Sequence, residues 1–298
     1  MNIDVSIIIP IYNVSDYVEA CLTSVMNQTY QGELECVLVD DCSPDNSMQK
    51  CKTLIDNYEG PITFHIISHE KNKGLSAARN TGTALSRGTY VYYLDSDDEI
   101  TPNCIELLMQ KVTQIPDVEM VLGFTKSIPD KAHYHFESFR DTPYIDSNKI
   151  IRKLFCPYHR IPINVCNKLI SKAFLTNNNI VFMDRLIHED ELWSYFVMQH
   201  LSSIAFVFEP TYIRYYRKGS IMTTLTKEIE SDSWYRILTE ISKNIDLPFF
   251  IDKVIYIKRK YKDRKVGENH KERLFVILFY ILKSTIKTFI LTPLRINR

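Results

Sequence analysis

Short β-rich runs alternate with stretches of helical periodicity through the first hundred residues, and this alternation narrows the possible folds more than any other feature of the chain. Val5 to Ile9 is the first such run. It is followed by Val18, Cys21, Leu22, Val25 and Met26, spaced i, i+3, i+4, i+7, i+8 as the buried face of a helix, with Ser15 as the expected N-cap. Cys36 to Val39 reads as a second strand, Met48, Cys51, Leu54, Ile55 and Tyr58 as a second helix face, and Ile62 to Ile67 as a third strand. The order is βαβαβ. A small-residue helix from about Leu75 to Leu85 and a strand from Tyr90 to Leu94 extend it. Such a chain is predicted to be an α/β protein whose mainly parallel sheet is covered by helices on both faces.

Beyond Leu94 the pattern is less regular. Pro102 fits position N1 of a further helix, Glu119 to Phe124 reads as a strand, Ile128 to Thr142 as a polar loop, and Ile150 to Phe155 and Glu189 to His200 as helices. After Thr226 helical character dominates. These shifts divide the chain into residues 1–100, 101–225 and 226–298, and a 45% hydrophobic content over 298 residues suffices for a substantial core.

The 36 basic and 36 acidic residues cancel, which removes any bulk electrostatic case for nucleic acid as a partner. Basic charge gathers at the end, where Ile251 to Arg298 holds thirteen Lys or Arg against four Asp or Glu. There the apolar run Leu274 to Leu291 is interrupted by Lys283 and Lys287, so a membrane-spanning helix is disfavoured. An amphipathic helix is expected instead, lying on an anionic membrane surface or packing on the folded domain or a second subunit. The seven cysteines form no C-x-x-C pair, which suggests neither a disulfide framework nor a zinc site, and the N-terminus carries no secretory pattern. A reducing cytoplasm is the expected setting. His133-x-His135 has no nearby Cys or carboxylate to complete a metal set.

In an open α/β sheet, ligands bind beyond the carboxyl ends of the strands. Three such ends are polar here: Pro10-Ile11-Tyr12-Asn13, Asp40-Asp41 and Asp95-Ser96-Asp97-Asp98. Carboxylates at i and i+2 of an extended strand end point to one side and can share a hard cation, Mg2+ or Mn2+. The competing reading is a solvated turn, with Asp98 favouring the N-terminus of the next helix. Asp41 can accept from the imide N–H of a base, while Ser43 and Pro44 fit N-cap and N1 of the second helix. Lys73-Gly74-Leu75-Ser76-Ala77-Ala78-Arg79-Asn80-Thr81-Gly82 opens a helix of little side-chain bulk from which Arg79 projects a charge. Walker A spacing is lacking, and the first βα connection has no G-x-G-x-x-G, which argues against a nicotinamide-dependent oxidoreductase.

Taken in order and spacing, Val5-Ser6-Ile7-Ile8-Ile9-Pro10-Ile11-Tyr12-Asn13, Val39-Asp40-Asp41-Cys42-Ser43, Asn72 to Gly82 and Leu94-Asp95-Ser96-Asp97-Asp98 resemble the family 2 glycosyltransferases. The likeness is strong from residue 5 to about 100 and looser to about 220. It implies a GT-A fold, a nucleotide-diphospho-sugar donor with UDP favoured, Mn2+ or Mg2+ as cofactor, and inversion of the anomeric centre. By the same resemblance Pro10, Tyr12, Asn13 and Asp41 would hold the nucleoside, with Asp41 facing the base. Arg79 would support the nucleotide end, Asp95 and Ser96 would line the donor site with Asp95 on the ribose or the metal, and Asp97 would be the principal metal ligand.

Ile187-His188-Glu189-Asp190-Glu191-Leu192-Trp193 is similar to the family's acidic acceptor-side motif, in which Asp190 would deprotonate the incoming hydroxyl. The alternative is a solvated first helical turn favoured by the helix dipole. His188 and Glu189 are candidates for acceptor or phosphate contacts. So is Arg217, which equally fits an arginine packed on the neighbouring tyrosines. Asn164-Val165-Cys166-Asn167-Lys168-Leu169 resembles a segment that precedes the acidic motif in relatives. The implied acceptor is a glycan or lipid-linked glycan of a bacterial surface polysaccharide, taken at the inner face of the cytoplasmic membrane. A polymer synthase would bring several membrane spans and a Q-x-x-R-W motif, which this sequence does not show. A nucleotide-sugar-binding protein without turnover would need Asp41 and Asp95 but be indifferent to Asp190.

Overall fold

Strand β1 (Val5–Ile11) is buried along its whole length because it carries strands on both sides and helices on both faces. It pairs in parallel with β2 (Leu34–Asp40) and β4 (Tyr90–Tyr93), and β2 pairs in parallel with β3 (Thr63–Ser68), in the expected βαβαβ order. A computed structural model describes residues 3–129, 139–156, 160–216 and 226–243. Alternation along β2 separates two layers. Cys36 and Leu38 join the main core with Cys21, Leu22 and Cys51, from helices α1 (Val18–Met26) and α2 (Ser47–Asp56), while Val37 and Val39 meet Ala78 of α3 (Leu75–Leu85).

Past β4 the sheet becomes mixed. After β5 (Glu99–Ile100), α4 (Cys104–Gln114), β6 (Met120–Ile128), β7 (Tyr144–Ile145) and α5 (Asn148–Phe155), strand β8 (Lys168–Ser171) inserts antiparallel between β4 and β6. Then come α6 (Lys172–Asn177), α7 (Glu189–His200), β9 (Ile204–Tyr215) and α8 (Lys227–Lys243). Among the described residues the sheet has nine strands and runs β3-β2-β1-β4-β8-β6-β9-β5, with β7 on β9. In α8, Trp234, Ile237, Leu238 and Ile241 form one buried face, and the helix packs on α7.

Three helix starts differ from those expected. Helix α1 begins at Val18 after Tyr17, α2 at Ser47 after Asn46, and α4 at Cys104 after Asn103, none with a side-chain cap. Ser15, Ser43 and Pro102 sit in the preceding loops, where the two serines serve a different purpose described below. His133, His135, Arg217 and the basic tail from Ile251 lie outside the described residues. Among the described residues no helix is long and apolar enough to cross a membrane.

Gly82 shows how tightly α3 lies on the sheet, since a Cβ there would collide with Cγ2 of Ile8 and stand 3.3 Å from Cγ2 of Val39. Ile8 is a fully buried β-branched residue that cannot swing aside. In a free helix Gly→Ala gains about 1 kcal/mol; here overpacking reverses the sign. Gly82→Ala is therefore expected to destabilise the protein by about 1–3 kcal/mol in urea unfolding.

Candidate active site

The carboxyl ends of β1, β2 and β4 open on one edge, and each is shaped by hydrogen bonds that the strands themselves cannot supply. After β1, Tyr12 stands 46% exposed and Asn13 takes a left-handed φ of 54°. Asp45 staples this turn to the one after β2. Its carboxylate accepts from Ser15 N–H (2.8 Å), Ser43 Oγ (2.8 Å), Ser47 N–H (3.1 Å) and Ser47 Oγ (2.5 Å). Ser43 Oγ in turn accepts from Asn13 N–H at 2.8 Å, and Ser47 Oγ from Val14 N–H at 3.1 Å. Partial burial opposes the Asp45 charge, yet these donors hold its carboxyl well below the usual carboxylate range.

Asp41 is buried and faces inward to the β3–α3 loop. Its Oδ1 lies 2.7 Å from His69 Nδ1 and accepts from Lys73 N–H (2.8 Å), and Oδ2 accepts from Gly74 N–H (2.7 Å). His69 Nε2 meets Thr81 Oγ1 at 2.9 Å, so the loop is fixed to α3 as well. Gly74, at φ 92°, makes the left-handed turn into α3 that a side chain would strain.

Asp95 to Asp98 is a tight turn closed by Asp98 N–H on the Asp95 carbonyl (3.0 Å), not the extended strand end expected from sequence. Asp95 and Asp97 remain partly exposed, whereas Ser96 and Asp98 are buried. Asp98 serves β9 rather than a helix, accepting from Tyr212 Oη (2.7 Å) and Tyr215 N–H (2.8 Å). Burial, then the Asp95 charge, pushes its pKa up to about 7.

Arg79 is buried and divides its guanidinium between two motifs. Nη2 donates to Asp95 Oδ1 and Nη1 to Glu189 Oε1, each at 2.7 Å. Burial works against its charge, but Asp95 and Glu189 more than offset this and raise its pKa. The guanidinium also sits 5.4 Å over the Phe182 ring, which stacks on Trp193 of α7 at 5.1 Å. Next in sequence, Asn80 grips the Phe182 backbone, donating to its carbonyl and accepting from its N–H, both at 2.8 Å. Arg79 thus binds the Asp95 turn to the first turn of α7, and Asn80 fixes Phe182 against the same helix.

His188 precedes α7 in a left-handed conformation, φ 61°. Its ring stacks on Trp234 of α8 at 4.9 Å and its Nε2 lies 3.4 Å from Glu230, an electrostatic contact rather than a hydrogen bond. The loop before it is held by α8, through Ile187 N–H to Ser233 Oγ (3.2 Å) and Arg236 to the carbonyls of Arg185 (2.6 Å) and Asp184 (2.9 Å). Glu189 and Asp190 both have raised pKa values, driven first by burial. For Glu189 the Arg79 charge opposes this; for Asp190 the Glu191 charge adds to it, and Arg79, His188 and Lys168 oppose.

Parallel pairing of β1 with β2 and β4 sets Pro10, Tyr12 and Asn13, the Asp41 loop anchor, and Ser96 and Asp97 at one edge of the sheet, and Arg79 joins Asp95 of that edge to Glu189, the chain neighbour of His188 and Asp190. Arg217 lies outside the described residues. Sequence reading missed His69, Tyr212, Arg214, Trp234 and Arg236. Of these, Arg214 had a signal, since it sits in the tyrosine-rich end of β9, and its charge acts on Asp98 and Asp95. A divalent cation fits the donor set: Asp95 and Asp97 offer half-exposed carboxylates, and hard cations at phosphate sites take one or two carboxylates and complete their shell from phosphate and water. Among the described residues no group of three or more His, Cys, Asp or Glu forms a closed cage.

Residues 6–175 match the family model described as Glycosyl transferase family 2. The chain is 30% identical over 264 residues to the glycosyltransferase GlyG of Streptococcus pneumoniae serotype 4, across 81% of this chain and 79% of GlyG. It is 26% identical to the minor teichoic acid biosynthesis protein GgaB of Bacillus subtilis, across 96% of this chain but 29% of GgaB. Among solved structures, S. aureus TarS 1-349 in complex with UDP-GlcNAc aligns at a TM-score of 0.71 and 22% identity, covering 95% of this chain and 81% of that one. The mannosyltransferase PcManGT from Pyrobaculum calidifontis, in complex with GDP-Man and Mn2+, aligns at 0.60 and 13% identity, covering 97% and 88%.

The Arg79 bridge and the Asp98 carboxyl each give a testable outcome. Arg79→Lys offers a single ammonium where two carboxylates need donors, so it should lower stability by about 1–3 kcal/mol in chemical denaturation. Asp98 titrates near 7 in the folded protein and near 3.9 unfolded, so its contribution is full below about pH 4 and lost as pH rises through 7. In EDTA, Asp98→Asn should gain melting temperature relative to the unmodified protein between pH 5 and pH 8. A difference that stays flat over that range would contradict the assignment.

Proposed function

This chain belongs to glycosyl transferase family 2, and we propose that it moves a sugar from a UDP-sugar to a hydroxyl of a glycan or lipid-linked acceptor with inversion at the anomeric carbon. The observation that carries this reading is the Arg79 bridge, which brings the Asp95 turn and the first turn of α7 to opposite ends of one guanidinium. A leaving diphosphate and an incoming hydroxyl need that separation, because in a single displacement they occupy opposite faces of the anomeric carbon. In the proposed division of labour, residues 1–100 hold the donor and 101–225 the acceptor.

Tyr12, exposed just after β1, would offer a face to a base, with Pro10 and Asn13 beside it in the chain. Asp41, by fixing the Lys73-Gly74 backbone, shapes the floor on which the base sits, and its Oδ2 has a lone pair left for the imide N–H. Asp97 and Asp95 would hold Mn2+ or Mg2+, which neutralises charge on the departing diphosphate as a Lewis acid. Asp190 takes the hydroxyl proton as the acceptor oxygen bonds to the anomeric carbon, and the electron pair of the broken C–O bond leaves with the diphosphate. Ser96 orders the turn around Asp95 and Asp97, and Glu189 and His188 border the acceptor.

UDP is favoured because the TarS neighbours are bound to UDP and UDP-GlcNAc, which also makes an N-acetylhexosamine or hexose the sugar to test first. The PcManGT neighbour, bound to Mn2+, supports a metal. The relation to GgaB supports a surface polymer as acceptor, reached at the inner face of the cytoplasmic membrane with help from the basic tail.

Release of nucleotide from a panel of UDP- and GDP-sugars should appear with one donor in Mn2+ or Mg2+, and disappear in EDTA and in Asp97→Ala. Asp190→Asn should retain nucleotide affinity within about threefold and lose at least 100-fold in kcat, as expected when a general base is removed. Binding of the donor with wild-type turnover in Asp190→Asn would refute the base assignment. Binding with no turnover of any donor or acceptor by the unmodified protein would favour a nucleotide-sugar-binding role.

A further inference from the structure

The turn from Asp95 to Asp98 carries both carboxylates assigned to the cation. Its own 3.0 Å bond, Asp98 N–H to the Asp95 carbonyl, closes the turn without fixing how it sits on the sheet. Arg79 holds the Asp95 side chain through Nη2. A further hold comes from β9. Tyr212 is 1% exposed, and its hydroxyl meets the turn at both ends from the buried side. Asp95 N–H donates to Tyr212 Oη at 3.4 Å, and Oη donates to Asp98 Oδ2 at 2.7 Å.

An amide N–H only donates, so the phenol oxygen accepts from Asp95 and turns its own proton to Asp98. Bonds linked in such a chain polarise and strengthen one another. The second Asp98 oxygen, Oδ1, accepts from Tyr215 N–H at 2.8 Å, so two residues of one strand clasp this carboxyl group.

Tyr212 can act as a fixed reference because its backbone is held on both sides. It stands opposite Ile100 in antiparallel β5 and opposite Thr125 in parallel β6, and the neighbouring Thr211 carbonyl accepts from Thr101 N–H at 3.0 Å. Strand β5 begins at Glu99, the residue after Asp98. Strand β9 therefore grips the chain just beyond the turn by its backbone and the turn itself by the phenol. Nothing in the transfer chemistry described so far uses that hydroxyl, and a phenylalanine would fill the same volume.

We infer that Tyr212 is a positioning residue for the proposed cation site: its buried hydroxyl, joined to the Asp95 amide and the Asp98 carboxyl group, sets the turn so that Asp95 and Asp97 share one Mn2+ or Mg2+. This rests on the reading of Asp95 and Asp97 as ligands. Tyr212 touches neither the cation nor the nucleotide and moves no proton in the transfer. A small hard cation demands near-ideal geometry, so a turn that tilts loses one of its two carboxylates.

The test compares the affinity of the full-length protein for UDP in Mn2+ and in EDTA by calorimetry, and the gain from Mn2+ is the quantity read. Tyr212→Phe should cut that gain roughly three- to tenfold, as for one net hydrogen bond, and leave the affinity in EDTA unchanged. A variant with 4-aminophenylalanine in place of Tyr212 keeps a donor there and should restore most of the gain. A gain preserved in Tyr212→Phe but lost in Asp97→Ala would overturn the proposal and keep the cation reading. No gain in the unmodified protein would remove the cation reading and this proposal with it. Equal losses in Mn2+ and EDTA would mark Tyr212 as merely structural.

Should Tyr212→Phe not fold, reciprocity decides in the unmodified protein, because a bond that strengthens cation binding is itself strengthened by the cation. The Tyr212 hydroxyl proton, identified by its nuclear Overhauser contact with Asp95 N–H, should exchange with solvent more slowly in Mg2+ and UDP than in UDP alone. An unchanged rate would overturn the proposal. With a donor that turns over, Tyr212→Phe should raise the Mn2+ concentration for half-maximal rate by the same factor, while kcat at saturating Mn2+ stays within about twofold. A fall in kcat alone would again mark a structural role.

Discussion

A single buried guanidinium ties the turn after β4 to the start of α7. Arg79 cannot leave its place without stripping both Asp95 and Glu189 of their nearest positive charge, and neither carboxylate can turn away without exposing buried charge to the other. Because Arg is always ionised and its fork is planar, the two bonds fix direction as well as distance. The Asp95 turn and the start of α7 come from parts of the chain nearly a hundred residues apart. Their spacing is set by the length of one side chain and by the packing of α3 on the sheet, for which Gly82 is small enough.

The remaining order at the strand ends is of a different kind. Asp41 and Asp45 spend their acceptor capacity on backbone N–H groups of turns rather than on solvent. Left-handed residues at Asn13, Cys42, Gly74 and His188 mark where the chain bends too sharply for strand or helix hydrogen bonding, and side-chain acceptors take over. The result is a rim of loops held almost as firmly as the strands they leave, so that Tyr12 and the exposed carboxylates stand on fixed backbone.

Much of this was legible from residue pattern. Helices α3 and α7 fall on the expected residues, although Glu191 to Tyr195 of α7 are buried in an unbroken run and not along one stripe, and the resemblance carried by the motifs after β1, β2 and β4 pointed to the correct family. The caps were misread because Ser15 and Ser43 looked local, whereas Ser15 N–H reaches Asp45 and Ser43 Oγ receives Asn13 N–H, each across thirty residues of chain. Strand β8 was invisible: four residues beginning with a buried lysine show no period of two. Strand β9 contains Pro210, normally a sign against a strand, and accommodates it at a register shift opposite Phe124. The inward turn of Asp41 could not be seen either, since His69 has no sequence signal linking it to the end of β2.

The docking of α8 has a mechanical consequence. The loop that leads into His188 is suspended from Ser233 and Arg236, and the ring of His188 rests on Trp234. Helix α8 and the first turn of α7 are thus springs in series, with the loop as their shared node. A load applied to α8 is delivered at the amino end of α7, where Glu189 and Asp190 reside, and passes on through Arg79 to the Asp95 turn that follows β4. Stiffness at the start of α7 is in this sense borrowed from α8, and stiffness at the ends of β1 and β2 is native to the sheet.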